Sequence, residues 1–310
     1  INTINNINES ALFVPPMMLE TGYGVSEIIS VNEGFWMKPI IISTIQTALN
    51  EIDKYDSNNN DLNVLNGEKK STLYANILKR LPHGFIHGIG KKSNTEFAVK
   101  DIISLIANPV INGAIATYKS LPLTFLSIDE LIFILSQGST NGVIDTSKEA
   151  TRGNNMLSDG FEQLASQLVN GLGVNGSTAK NVEAISKGIS SQVGRLNTNN
   201  NRRRRRLKNN GAMIASSTII KLIASASQGA VLSIMNASSY TSSANNNMDN
   251  VESLISSMTS GFIEGTTINS TTAPSLETND VLYCLKVVGD KILDSIVSNP
   301  FNVVTLPPIS

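Results

Sequence analysis

Apolar residues recur along this chain at spacings of three and four, the period of a helix that buries one face. Pro39, suited to an early helical position, opens a segment in which Ile41, Ile45, Leu49 and Ile52 share a stripe, and the polar run Asp56 to Asn60 stops it. Ser71 is a natural cap for a second segment carrying Leu73, Tyr74, Ile77, Leu78 and Leu81, with Pro82 expected to end it. Val99, Ile102, Ile103 and Ile106 define a third, closed in the same way by Asn108-Pro109. Ser127 and Glu130 have capping-box spacing ahead of Leu131 to Leu135, and Gly138 reads as a C-terminal cap.

The second half is patterned more plainly. Phe161, Leu164 and Leu168 mark one helix; Val182, Ile185, Ile189 and Val193 mark the next. Met213 to Met235 predicts a longer Ser/Ala/Ile helix with a break at Gly229, followed by stripes at Val251, Leu254, Met258, Phe262 and at Val281, Leu285, Val288, Ile292, Ile296. No stretch alternates at period two. The expected fold is all-α, a multi-helix bundle or bundles of amphipathic, small-residue helices, with extended arms at 12–16 and 301–308.

Composition shifts near residue 140. Most aromatics, including the single tryptophan Trp36, precede it, and Ser, Ala and Gly dominate afterwards. This divides the chain into an aromatic-containing region, 1–140, and a Ser/Ala-rich region, 141–310, interrupted by an Asn/Arg loop at 196–211. A faint duplication is visible in the second region: Phe161-Glu162-Gln163-Leu164 aligns with Val251-Glu252-Ser253-Leu254, and Gly171 with Gly261.

Charge adds one local feature. The whole chain is nearly neutral, with 24 basic and 25 acidic residues. Five of the basic ones are consecutive: Arg202, Arg203, Arg204, Arg205 and Arg206, flanked by asparagines. Such an isolated run fits a processing loop or a solvated linker better than a nucleic-acid surface, which distributes its cations and adds stacking aromatics. Charged residues make up only 16% of the chain, so its surface must be hydrated largely by Ser, Asn and Thr, a composition that tolerates close association. With a start at Ile1, the expectation is an extracellular chain whose signal peptide has already been removed. Glycosylation sequons begin at Asn8, Asn175, Asn236 and Asn269. The lone cysteine, Cys284, excludes a disulfide within the chain; it is either a buried thiol or an intermolecular cross-link. No membrane span is expected, because the best stretch, Met213 to Met235, is interrupted by Lys221, Gln228 and serines.

Catalytic chemistry has little to draw on. The only histidines, His83 and His87, lie between Pro82 and glycines 84, 88 and 90, which suggests a loop with a structural role. Gly84 to Gly90 has neither phosphate-loop spacing nor a preceding strand, and no nucleophile elbow is present. The acidic residues are scattered. The expectation is a non-enzyme, with no catalytic, cofactor-binding or metal residues and no cofactor.

The helices from about 158 to 297, with a single cysteine in the last, resemble the helical non-repetitive domains of silk proteins, spidroin-type terminal domains above all; Asn279-Asp280-Val281-Leu282-Tyr283-Cys284-Leu285 carries most of the likeness. The resemblance implies a secreted structural protein whose helices pair between chains, with Cys284 as the cross-link. The function expected is therefore self-association, with self or sister chains as partners, into fibres or an extracellular matrix. The alternatives are a helical carrier for an apolar ligand or partner and, third, a polyanion-binding or capsid-like protein using the arginine run.

Overall fold

A computed structural model describes residues 34–58, 64–65, 68–92, 99–120, 123, 126–149, 154–193, 216–239, 247–267 and 278–298. Among them are nine helices: α1 (Gly34–Asn58), α2 (Lys70–Lys92), α3 (Val99–Ser120), α4 (Ile128–Glu149), α5 (Asn154–Gly176), α6 (Ala179–Val193), α7 (Ser216–Ser239), α8 (Asn247–Thr267) and α9 (Thr278–Ser298). One two-residue antiparallel ladder, Val64–Leu65 (β1) with Glu68–Lys69 (β2), precedes α2. The protein is all-α.

Each helix packs most extensively on the helix two places along the chain. Helices α1, α3, α5, α7 and α9 follow one another in one layer, and α2, α4, α6 and α8 in a second, facing one. Contacts between consecutive helices, which cross from layer to layer, are fewer. Helices n and n+2 run parallel. Gly138 and Gly142 of α4 meet Pro82 and Ile86 of α2 in that order, and Ser158 and Ser166 of α5 meet Ser225 and Ser233 of α7. The arrangement is that of an α-solenoid, in which each unit touches only its neighbours.

Local sequence explains how the helices begin. At α4 the Ser127 backbone N–H donates to Glu130 Oε2 (2.9 Å) while the Glu130 N–H donates to Ser127 Oγ (3.4 Å), the reciprocal capping box expected from the sequence. Near the end of α5, Gly173 takes φ 61°, a conformation that a β-carbon disfavours, and the helix kinks there. Thr178 then caps α6, its Oγ1 accepting from the Asn181 N–H.

Most residues of the expected stripes form the core. Ile41, Ile45, Leu49, Ile52, Leu78, Leu81, Ile106, Phe161, Leu164, Val182, Ile185, Ile189, Met258 and Phe262 are all buried, in one hydrophobic cluster that runs through both layers. Burial of each such side chain contributes about 1.5–3 kcal/mol. The compositional boundary at residue 140 falls in the middle of α4, which packs on α2 before it and α6 after it. The two segments of the faint duplication lie in α5 and α8, on opposite layers.

Four expected helix breaks are corrected. Helix α2 continues through Pro82 and the Gly84 to Gly90 segment, α3 through Pro109, α4 through Gly138 and α7 through Gly229. Each proline forfeits one intrahelical bond, but Pro82 and Pro109 are buried, and packing outweighs that local loss. The glycines serve interhelical approach. A β-carbon at Gly138 would strike the Lys79 carbonyl, at Gly188 it would lie 2.8 Å from the Phe133 carbonyl, and at Gly229 it would strike the Glu162 carbonyl. In every case the obstacle is the backbone of the preceding helix of the same layer. The extended arms expected at 12–16 and 301–308 lie outside the described residues.

Candidate interaction surface

The repeated n to n+2 contact ends at α9. This helix buries Cys284, Val288, Ile292 and Ser295, and its most extensive packing is on α7. A second apolar stripe, Leu282, Leu285, Gly289, Leu293 and Ile296, falls within about 80° of arc and lies roughly 100° around the helix from the first, taking 3.6 residues per turn. It is open: Leu282 is 60% exposed, Leu293 61% and the adjacent Val297 82%, with Tyr283, Leu285 and Ile296 also exposed. Gly289, at its centre, has nothing within 4 Å of where a β-carbon would stand. The terminal unit of a helical repeat ordinarily presents a polar outer face. At the other end α1 does so, with Ser43, Thr47, Asn50 and Lys54 exposed along one stripe; α9 does not.

Cys284 belongs to the buried face. Its thiol is fully buried, and burial pushes it up to about 11. Of the two readings of this cysteine, a buried thiol or a cross-link between chains, the structure describes the thiol as free and buried within one chain.

His83 and His87 sit inside α2 rather than in a loop, one turn apart, both buried, with rings stacked at 5.9 Å. His83 Nε2 lies 3.0 Å from Oδ2 of Asp145 on α4, a partner 62 residues away that sequence spacing does not reveal. Further along this layer, Lys79 Nζ donates to Gln137 Oε1 (3.3 Å) and Gln192 Oε1 (3.2 Å), and both glutamine amides donate to Ser191 Oγ (3.0 and 3.2 Å). Ser191 Oγ itself donates to the Gly188 carbonyl (2.9 Å), so this ladder pairs no hydroxyl with a base and clasps α2, α4 and α6 together. Among the described residues no group of three or more His, Cys, Asp or Glu side chains is placed to hold a metal ion.

Helix α7 is long and apolar enough over Ser217–Asn236 to cross a membrane, but 72% of that stretch is buried inside the protein, between α5 and α9. Of the glycosylation candidates, Asn236 is exposed near the end of α7, and the Asn175 backbone ends α5. Asn8, Asn269 and Arg202 to Arg206 lie outside the described residues. Sequence reasoning anticipated the apolar character of α9 but not its second stripe, because the periodic residues Leu285 and Ile296 fall on the open side. No known protein family matches the chain, and no curated protein matches it.

Proposed function

We propose that this is a secreted, non-enzymatic structural protein that associates with itself or with sister chains through the end of its helical stack. The single observation that carries the proposal is the open apolar face of α9. A contiguous exposed apolar surface on a protein otherwise covered by neutral polar groups is characteristic of an association site. The Ser-, Asn- and Thr-rich surface supports the extracellular assignment, and the resemblance of residues 158 to 297 to silk-protein helical domains agrees with a structural role. Association does not need Cys284.

The test is the molar mass of the full chain by light scattering over a range of concentrations, with and without reductant. The expected result is a mass that rises with concentration and is unchanged by reductant. A strictly monomeric chain at high concentration refutes the proposal.

A further inference from the structure

The partner of α9 is not left open by its sequence. We infer that the open face of α9 pairs with the same face of a second identical chain, antiparallel, about a two-fold axis passing at Gly289. The inference rests on the self-association reading above and specifies its partner and register.

Three observations converge on it. The first is the symmetry of the stripe. Leu285 and Leu293 stand four residues either side of Gly289, and Leu282 and Ile296 stand seven either side. When two such helices meet antiparallel with their glycines opposed, Leu285 faces Leu293 of the other copy and Leu282 faces Ile296. Every exposed apolar residue of the stripe then has a counterpart. A parallel pairing would instead match each stripe residue with itself.

The second observation is charge. Lys286 and Asp290 follow one another along one flank of the stripe, about 60° and 100° round from Gly289, with Asp294 farther round at about 140°, and all three are exposed. A two-fold axis in the plane of contact brings identical flanks together with their directions reversed. Lys286 then lies across from Asp290 of the other copy, offset by about 3 Å along the axis at 1.5 Å per residue. The arrangement occurs twice. In the parallel alternative, whose two-fold axis runs along the helices, this flank falls on opposite edges of the contact in the two copies, and Lys286 has no aspartate of the other copy across from it.

The third is the asymmetry of the stack. A head-to-tail fibre would need an apolar face on α1 to receive α9, and α1 offers Ser43, Thr47, Asn50 and Lys54. The heterologous contact lacks its other half, whereas the isologous one is complete. The central glycine completes the geometry. Within the chain, glycines are what allow adjacent helices of a layer to approach to backbone contact, as at Gly138 and Gly229, and Gly289 is the one glycine of its layer's last helix with no neighbour. The assembly is thus a closed pair, in which the α1, α3, α5, α7, α9 layer runs on into that of the second copy.

Sedimentation velocity of the full chain over a hundredfold concentration range, with three variants, tests this. Gly289→Leu meets no obstacle within the chain and is expected to weaken the dimer at least tenfold without lowering the unfolding temperature. Lys286→Asp is expected to weaken it several-fold, and adding Asp290→Lys to restore it, because the exchanged charges again face their opposites. In a Cys284→Ala background, Gly289→Cys is expected to form a disulfide-linked dimer on oxidation. Leu282→Cys alone should not, but should do so when mixed with Ile296→Cys. Association that survives Gly289→Leu, or cross-links formed by Leu282→Cys alone, overturns the antiparallel pairing and leaves self-association standing. A chain that stays monomeric throughout, its α9 face covered by its own residues 299–310 or by nothing, overturns both.

Discussion

Replacing Gly229 and Gly289 with alanine, one at a time, should move stability in opposite directions. Alanine is about 1 kcal/mol better than glycine inside a helix. At Gly289, with no atom within 4 Å, that gain should appear nearly whole. At Gly229 the added β-carbon strikes the Glu162 carbonyl, with the Glu162 carbonyl carbon at 2.7 Å and Cα at 3.1 Å. These are backbone atoms and cannot swing aside, so α5 and α7 must separate. The hydrogen bonds of Ser158 with Ser225 (2.5 Å) and Ser166 with Ser233 (2.8 Å) flank the clash at one turn either side and would stretch with it. Overpacking of this kind costs about 1–3 kcal/mol, and the two weakened bonds add about 1 kcal/mol each at most. After the helical gain, a net loss of about 2 kcal/mol remains. At about 2.1 cal/mol/K of unfolding entropy per residue, a 310-residue chain loses about 3 °C in Tm for Gly229→Ala and gains about 1.5 °C for Gly289→Ala. Thermal unfolding followed by circular dichroism, at a concentration low enough to keep the chain monomeric, reads both. If the two substitutions shift Tm in the same direction, close backbone approach is not what the layer glycines provide.

The remaining predictions concern single side chains. Ser127→Ala removes the capping box of α4 and should cost about 1 kcal/mol in urea unfolding, with Ser127→Asp retaining most of the stability. The Cys284 thiol, buried and pushed up to about 11, should resist a thiol reagent at pH 8 until the protein is unfolded; labelling as fast as that of a free peptide thiol would remove it from the core. The Glu162 carboxyl is held above its ordinary range, first by burial and then by Asp159, with Lys291 opposing. A raised carboxyl in the folded state means that ionisation opposes folding, so this contribution to stability falls as pH rises through the folded-state value. Glu162→Gln should therefore stabilise the protein at pH 7 and lose that advantage below pH 4. The Glu264 carboxyl, held low by its 2.7 Å hydrogen bond from Lys187, has the opposite sign: its contribution is present at neutral pH and lost on acidification.

The helices were legible because their apolar spacing and their caps agree. Ile41 to Ile52 and Val182 to Val193 are buried where the stripes put them, and Ser127 with Glu130 closes the capping box that its spacing announces. Punctuation by proline and glycine misled, for one physical reason. Residues such as Pro82, Pro109, Gly138 and Gly229 break an isolated helix, but here each lies against a neighbouring helix whose packing exceeds the local cost. Pairings at long separation, His83 with Asp145 or Lys79 with Gln192, leave no trace in spacing. The open stripe of α9 was hidden differently. That helix has apolar residues around much of its circumference, and a sequence does not state which of two stripes meets α7.

The parallel n to n+2 stacking also fixes how the molecule would bear a load. Among the described residues every helix is held mainly by the one two places before it and the one two places after, and none of the extensive contacts joins α1 to α9. Tension applied across the stack acts in series on the interfaces, and the weakest gives first while the others hold. A helix at the end, such as α9 with its 21 residues, would come away by itself and lengthen the chain by about 7 nm of contour at 3.3–3.6 Å per residue. The molecule would then yield stepwise, as an extensible element that dissipates work over many small events, and relax by restacking helices onto those that remained.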